Sequence, residues 1–459
     1  MNRKILHQGM VSSARLWRKG RQRVTAVTSV APQPSAPPHL AAPQPHPFTT
    51  TTTPQQTTRP TPTPAQAHSE PTGIRVAEAG KEVLEVTFAD GSHSAFPYCW
   101  LRDNCQCHEC FDHDALCRKL TLEDWQHDDS PTSVQVEEDG GGVGLQWISG
   151  HSSRYEAQWL QQHAFTAAAR DAQRSFLALR KELWSTELEL PRLDYEAVMH
   201  QDTAMLDFLV TLERKGVVVL TKAPREPGTV FSIINNIGYV KPTHYGVHYP
   251  IRSKVSASSL AYTDQRLGMH NDLPYFNYVP GIIFLHCITQ FEGEGGENDL
   301  SDGFQVARYL KEHHPGEYRI LTDTPVYFWD KGTAQVKEET TEYHKIINLP
   351  ILVEDRVSGA VVRVNNSQLR NSYLDLSPHL VTRWYAALRL FNQTVDQHSI
   401  RNKLKSGEML VMDNTRLLHG RTAYNGALGE RYMDQAYLDW DGALSRRRVL
   451  QERLGVTLE

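Results

Sequence analysis

A mainly β protein with flanking helices is what this sequence predicts: a double-stranded β-helix, or jelly roll, preceded by a small β-domain pinned through cysteines. Three observations carry that expectation. Short apolar runs separated by turn residues follow one another after residue 272. A His-x-Asp pair, His270 and Asp272, is answered much later by the lone His419. Three cysteines crowd into Cys105-Gln106-Cys107-His108-Glu109-Cys110, inside a strand-rich stretch.

The chain has 459 residues, 40% hydrophobic and 22% charged, enough for two or three domains around sizeable cores. Its opening differs from the rest. Eight basic residues (Arg3, Lys4, Arg15, Arg18, Lys19, Arg21, Arg23 and Arg59) precede the first acid, Glu70. Residues 31–72 are dominated by Pro, Thr, Gln and Ala, which bury too little apolar surface to order themselves. Residues 1–73 are therefore expected to be disordered. Their basic, acid-free start is compatible with a mitochondrial transit peptide directing the chain to the matrix. The alternative is an unstructured extension on a cytoplasmic protein. The remaining body holds 40 basic against 53 acidic residues, a net charge of −13. That balance argues against a nucleic-acid partner. No apolar run approaches the ~18 residues of a membrane helix, so no membrane partner is expected.

Residues 74–188 read as the amino-terminal domain. Val83–Phe88 alternates as a strand and stops at the turn pair Asp90-Gly91. Ser133–Val136, the glycines 140–142 and Val143–Ile148 read as two further strands around a turn, and helical periodicity runs from Trp159 to Leu183. Tight cysteine clustering points to metal more than to disulfides. Zinc takes four thiolate or imidazole ligands in a closed tetrahedron, so Cys105, Cys107 and Cys110 require one more. His108 and His113 lie near in sequence. His151, after the strand-like run, can return to the cluster from a second segment. Cys99 and Cys117 read as core or incidental.

Residues 189–459 read as the catalytic domain. Helices are expected over 203–214, 227–238 and 378–396, with Val217–Leu220 as a buried strand. Gly281–Cys287, Val326–Phe328, Ile346–Leu349 and Ala360–Val364 supply further strands, and Val411–His419 brings in the distal histidine on another. Residues i and i+2 of an extended strand face one way, so His270 and Asp272 can bind one ion. With His419 they make two imidazoles and one carboxylate, the facial set of a non-haem Fe(II) site with open positions opposite. Arg431 suits the far carboxylate of a 2-oxo acid, because guanidinium and carboxylate pair in two-pronged fashion. Tyr245, Tyr249, Tyr262, Tyr275, Phe276 and Tyr437 surround the motif in sequence. Aromatic faces of this kind hold quaternary ammonium groups.

Several runs carry a resemblance: Trp100-Leu101-Arg102-Asp103-Asn104-Cys105, Ala261-Tyr262-Thr263, Ser301-Asp302-Gly303-Phe304, Asp413-Asn414 ahead of Leu417-Leu418-His419-Gly420-Arg421, and Ala436-Tyr437-Leu438-Asp439-Trp440-Asp441. Over roughly residues 80–455 the chain resembles the γ-butyrobetaine dioxygenase family, with trimethyllysine dioxygenase as the sister enzyme. The resemblance implies Fe(II) at His270, Asp272 and His419, 2-oxoglutarate held by Arg431, and zinc at Cys105, Cys107, Cys110 and His151. It implies ascorbate as a reductant, a homodimer, and a trimethylammonium cage of Tyr245, Tyr249, Tyr262 and Tyr437. Two positions depart from the family pattern. Tyr249 stands where the family has Trp, and Ser259 where it has an Asn toward the substrate carboxylate; Asn366 is the candidate compensating amide. The activity implied is hydroxylation of γ-butyrobetaine to L-carnitine with dioxygen, releasing succinate and carbon dioxide. The rivals are trimethyllysine hydroxylation and a catalytically silent jelly-roll scaffold.

Overall fold

Alternation along the strands builds two sheets that share one apolar interior. The computed structural model describes residues 73–458 apart from 126–128, 253–262, 337–338, 368–373 and 427–428. The expectations for residues 1–72, and for Ser259 and Tyr262, lie outside the described residues. The larger sheet has six strands in the order Tyr249–Arg252, Tyr432–Leu438, Ile282–Thr289, Glu408–Asp413, Val217–Thr221 and Arg192–Asp194. The smaller has four: Leu267–His270, Leu417–Arg421, Asn298–Asp302 and Ser399–Asn402. Pairing is antiparallel throughout except between Arg192–Asp194 and Val217–Thr221. This is the jelly roll that the sequence predicts.

The larger sheet is buried on both faces, which explains its nearly continuous apolar strands. Ile283, Leu285, Cys287, Leu410, Met412, Met433 and Tyr437 point inward. They meet Met269, Leu300, Leu417 and Leu418 of the smaller sheet in one cluster. Their neighbours Ile282, Phe284, Met409, Val411, Ala436 and Leu438 point outward, under the helices Asp202–Lys215, Thr229–Ile237 and Trp440–Leu454. Each fully buried side chain of this size contributes about 2 kcal/mol. A one-residue slip of any strand would exchange the two faces, so the register is strongly specified.

The amino-terminal part has its own cluster. Ile74–Ala79, Val83–Phe88 and His93–Pro97 form one three-stranded sheet; Pro131–Val136, Gly142–Trp147 and Ser152–Glu156 form another. Leu84, Val86, Phe96, Leu145, Trp147 and Tyr155 pack between them.

Three expectations need correction. The run expected as a single strand over 411–419 is two strands, Glu408–Asp413 and Leu417–Arg421, in different sheets. The turn between them is made by Asp413, whose Oδ1 accepts the Thr415 amide at 2.9 Å. Asp272 does not share a strand with His270: the strand ends at His270, and Leu273 has a left-handed φ of 54°. Such a backbone costs a non-glycine residue roughly 1–2 kcal/mol. The helices Gly303–His313 and Pro315–Asp323 stand where the sequence was read as strands and turns. The first begins because Asp302 accepts the amides of Phe304 and Gln305 as an N-cap; the second because Pro315 occupies its first position.

His286 sits fully buried in the larger sheet, and neither ring nitrogen has a hydrogen-bond partner among the described residues. Burial lowers its pKa from 6.5 to about 4, against the pull of Asp434. The unfolded chain therefore binds the extra proton first as pH falls, and native stability is lost between pH ~6.5 and ~4. His286→Phe is expected to remove about 3 kcal/mol of that acid sensitivity. Urea melts of both proteins at pH 7 and pH 4.5 check this, and parallel pH slopes would contradict it.

Candidate active site and zinc centre

The strands Leu267–His270 and Leu417–Arg421 pair so that His270 and His419 stand directly opposite. The ligand atoms of His270, Asp272 and His419 all lie within 4.8 Å of one another. Asp272 Oδ1 is 3.4 Å from His270 Nε2 and 3.7 Å from His419 Nε2. Ligands about 2.1 Å from a shared ion at right angles would be about 3 Å apart, so small movements suffice to close the set on a metal. His270 Nδ1 lies 2.9 Å from the Gly268 carbonyl, which assigns the proton to Nδ1 and leaves Nε2 for the ion. Burial and the neighbouring His270 lower His419 to about 4, so its imidazole is neutral. Burial alone would raise Asp272, but the His419 and His270 rings outweigh it and hold the carboxyl well below its usual range.

Asparagines hold Asp272 in place after its strand has ended. Asn414 Oδ1 accepts the Asp272 amide at 2.8 Å, and Asn414 Nδ2 donates to the Asp272 carbonyl at 2.9 Å. Asn271 Nδ2 donates to the carbonyls of Asn414 and Leu417 at 3.0 and 2.8 Å. The Asn366 carbonyl accepts the Asn271 amide at 2.9 Å and the Asn366 amide donates to Asn271 Oδ1 at 3.0 Å, while Asn366 Nδ2 donates to Met269 O and Asn392 Oδ1 at 3.2 and 2.9 Å. Both Asn366 side-chain protons are thereby taken by Met269 O and Asn392 Oδ1, so the expected contact with a substrate carboxylate would have to displace one of these bonds.

Arg431 is buried, and no carboxylate or carbonyl pairs with it among the described residues. Burial and the nearby Arg421 lower it to about 10, still charged at neutral pH. An uncompensated buried guanidinium of this kind fits a ligand carboxylate. Arg421 is also buried, but it donates to the carbonyls of Thr263 and Gln265 at 2.6 and 2.7 Å.

Tyr245 and Tyr249 stand with ring centroids 4.7 Å apart. Both lie close enough to Tyr437 to help raise its phenol pKa, after the larger effect of burial. The Tyr437 hydroxyl donates to Asp272 Oδ2 at 2.9 Å, so one tyrosine of the cluster is tied to the metal carboxylate. Phe276 presents a ring face that Lys345 already covers at 4.4 Å, and Tyr275 is a core residue. Sequence reasoning missed Gln435, whose Nε2 donates to Asp272 Oδ2 at 2.7 Å. It also missed His244, wedged 4.0 Å from Tyr245 and 4.2 Å from Tyr343 between ring centroids. The strand Tyr432–Leu438 places Met433, Gln435 and Tyr437 on one face, but that alternation alone gives the glutamine no partner.

In the amino-terminal part, His151 Nε2 lies 3.4, 3.7 and 3.6 Å from the sulfurs of Cys105, Cys107 and Cys110. A tetrahedral zinc with Zn–S ~2.3 Å and Zn–N ~2.0 Å separates S and N by about 3.5 Å. His151 is therefore the fourth ligand that fits. The turn at Gly150, φ 88°, between Gly142–Trp147 and Ser152–Glu156 brings it there. His113 faces away, 2.9 Å from the Gln106 carbonyl, with His108 against its ring. Cys99 and Cys117 are exposed. Three thiolates and one dication carry a net −1, and the buried Arg102 donates to Cys110 Sγ at 3.3 Å. Ser153 donates to Cys105 Sγ at 3.1 Å. Burial pushes the Cys105 thiol up to about 12, so ionising this set calls for the charge of a metal.

Jelly roll, facial triad and buried arginine define an iron(II)- and 2-oxoglutarate-dependent oxygenase with a structural zinc site. Comparison with known proteins is in accord. Residues 178–437 match the taurine catabolism dioxygenase TauD, TfdA family, and residues 75–161 match the γ-butyrobetaine hydroxylase-like amino-terminal family. Human γ-butyrobetaine dioxygenase is 34% identical over 83% of this chain and 98% of its own length. The enzyme of that name from Pseudomonas sp. (strain AK-1) is 33% identical over 80% and 94%. Rat mitochondrial trimethyllysine dioxygenase is 26% identical over 80% and 85%. The chain belongs to the γ-butyrobetaine dioxygenase family, within the TauD group of oxygenases.

The two candidate ligand sets share no residue, so the two metals are expected to be lost independently. Cys110→Ser is expected to lose the zinc found by elemental analysis, whereas Asp272→Ala keeps zinc and loses iron(II) binding. Loss of both metals from both variants, with each protein still folded, would contradict this assignment.

Proposed function

We propose that the protein hydroxylates γ-butyrobetaine (4-trimethylammoniobutanoate) to L-carnitine. The observation that carries this reading is the convergence of His270, Asp272 and His419 beside the rings of Tyr245, Tyr249 and Tyr437. Iron held by the first three, with 2-oxoglutarate, supplies the dioxygen-derived oxidant for C–H hydroxylation, 2-oxoglutarate leaving as succinate and carbon dioxide. The chain's own part is positioning, because such an oxidant is indiscriminate. Arg431 neutralises the far carboxylate of 2-oxoglutarate through paired N–H donors. The tyrosine faces attract a trimethylammonium group that cannot donate a hydrogen bond. Distance from that cage then selects which methylene meets the metal.

The same reading extends to organisation. The chain divides into an amino-terminal zinc domain and a catalytic domain near residue 188. Trp184 and Leu188 already pack against the catalytic core, which favours counting them with the second part. A homodimer and a mitochondrial location complete the proposal. The mitochondrial label of trimethyllysine dioxygenase relatives and the basic opening of the chain support the location. Among the described residues no helix is long and apolar enough to cross a membrane.

Incubation with Fe(II), 2-oxoglutarate, ascorbate and either γ-butyrobetaine or trimethyllysine, followed by mass spectrometry, tests the substrate. Carnitine is expected as the main product; preferential hydroxylation of trimethyllysine would transfer the chain to the sister activity. Arg431→Met should raise KM for 2-oxoglutarate roughly 100-fold, the loss of one buried charge-assisted pair. An unchanged KM would remove Arg431 from that role.

A further inference from the structure

Asp272 presents its two carboxylate oxygens to different surroundings. Oδ1 faces the histidines, 3.4 Å from His270 Nε2 and 3.7 Å from His419 Nε2. Oδ2 faces the larger sheet, where Gln435 Nε2 and Tyr437 Oη donate to it at 2.7 and 2.9 Å. Gln435 Nε2 also donates to Tyr437 Oη at 2.6 Å, which closes a ring of three hydrogen bonds. Gln435 and Tyr437 are two residues apart on the strand Tyr432–Leu438 and so share its inward face. Gln435 is buried and pairs across the ladders with Tyr249 on one side and Leu285 on the other. Backbone bonds to both neighbouring strands thus fix where its amide stands.

A carboxylate bound to a metal can use one oxygen or both. The second mode consumes a coordination position, and this site needs its remaining positions for the 2-oxo acid and for dioxygen. A free Oδ2 would be able to swing onto the ion. Two donors aimed at Oδ2 hold it away and leave Oδ1 as the sole metal-facing oxygen. Tyr437 supplies one of them and belongs to the tyrosine cluster in any case. Gln435 has no such second use: its side-chain hydrogen bonds go to Asp272 and Tyr437, and an amide offers the substrate no ring face.

We propose that Gln435 is a positioning residue which, together with Tyr437, restricts Asp272 to single-oxygen binding of the metal and so keeps a coordination position open. This rests on the assignment of iron to His270, Asp272 and His419. Outer partners of metal ligands commonly change affinities at the site by 10- to 100-fold, and Gln435 is expected to act within that range.

Manganese(II), which favours oxygen-rich six-coordinate sites, gives a readout independent of turnover. With three protein ligands, about three positions remain for water. Those waters are counted by electron paramagnetic resonance line broadening in 17O-enriched water, with zinc left in the cysteine site. The parent is expected to show about three waters, and Gln435→Met about one fewer, as Asp272 turns both oxygens onto the ion. The 2-oxoglutarate affinity of the Mn(II) form should fall on the order of tenfold. Gln435→Asn, which keeps an amide but withdraws it by one methylene, should give the same change and serves if the Met variant is poorly folded. Equal water counts and equal 2-oxoglutarate affinity in a folded variant would overturn the role of Gln435 alone. A parent whose Mn(II) binding is insensitive to His419→Ala would overturn the metal assignment beneath it.

Discussion

Asp272 is where the two sheets of the jelly roll meet chemically. Its Oδ1 faces the imidazoles of the four-stranded sheet, and its Oδ2 is tied to Gln435 and Tyr437 of the six-stranded sheet. The residue itself lies in neither, because its strand stops at His270 and the backbone turns through the left-handed Leu273. Strain of this kind persists only where surroundings over-determine it. Here the surroundings are Asn414, whose side chain bonds the Asp272 backbone on both sides, Asn271, whose side chain bonds Asn414 O and accepts the Asn366 amide, and Asn366, whose side chain bonds Met269 O. A carboxylate on a strand would have been simpler to fold. One on a braced loop can be aimed at a point between two sheets.

Electrostatics complete the arrangement. The triad sets one carboxylate beside two imidazoles that offer lone pairs, a set suited to a cation, whereas Arg431 is left as a buried cation without a protein counterion among the described residues. Burying an unpaired charge is costly. The contact with 2-oxoglutarate proposed for Arg431 would supply the missing charge when that dianion binds. The zinc centre follows the opposite logic. Its surplus negative charge is compensated from within the fold by Arg102, and its four ligands close the tetrahedron, as expected of a structural rather than a catalytic ion.

Much of this was legible in the sequence. The strand Val83–Phe88 and the helix Asp202–Lys215 follow from two-residue and helical periodicity that tertiary packing reinforces. The convergence of His270, Asp272 and His419 was legible because residue types able to bind metal are restricted and stood at a constrained spacing. His151 was not separable from His108 and His113 by spacing, since its return depends on a hairpin that only folding supplies. The helices after Asp302 were hidden because their amphipathic faces are short and sit among strands. Gln435 escaped for a different reason. A lone glutamine inside an apolar strand carries no motif, and its meaning appears only when Asp272, 163 residues away in sequence, is brought to 2.7 Å. Asn366 shows the converse: its residue type suited a substrate contact, but its amide protons go to the Met269 carbonyl and the Asn392 side chain.

The account stands on one ion shared by three side chains. Diffraction from anaerobic crystals grown with Fe(II), collected on either side of the iron absorption edge, tests it most directly. The expected result is a single anomalous peak about 2.1 Å from His270 Nε2, Asp272 Oδ1 and His419 Nε2 together. A peak elsewhere, or one that leaves any of these three atoms beyond bonding distance, would contradict it.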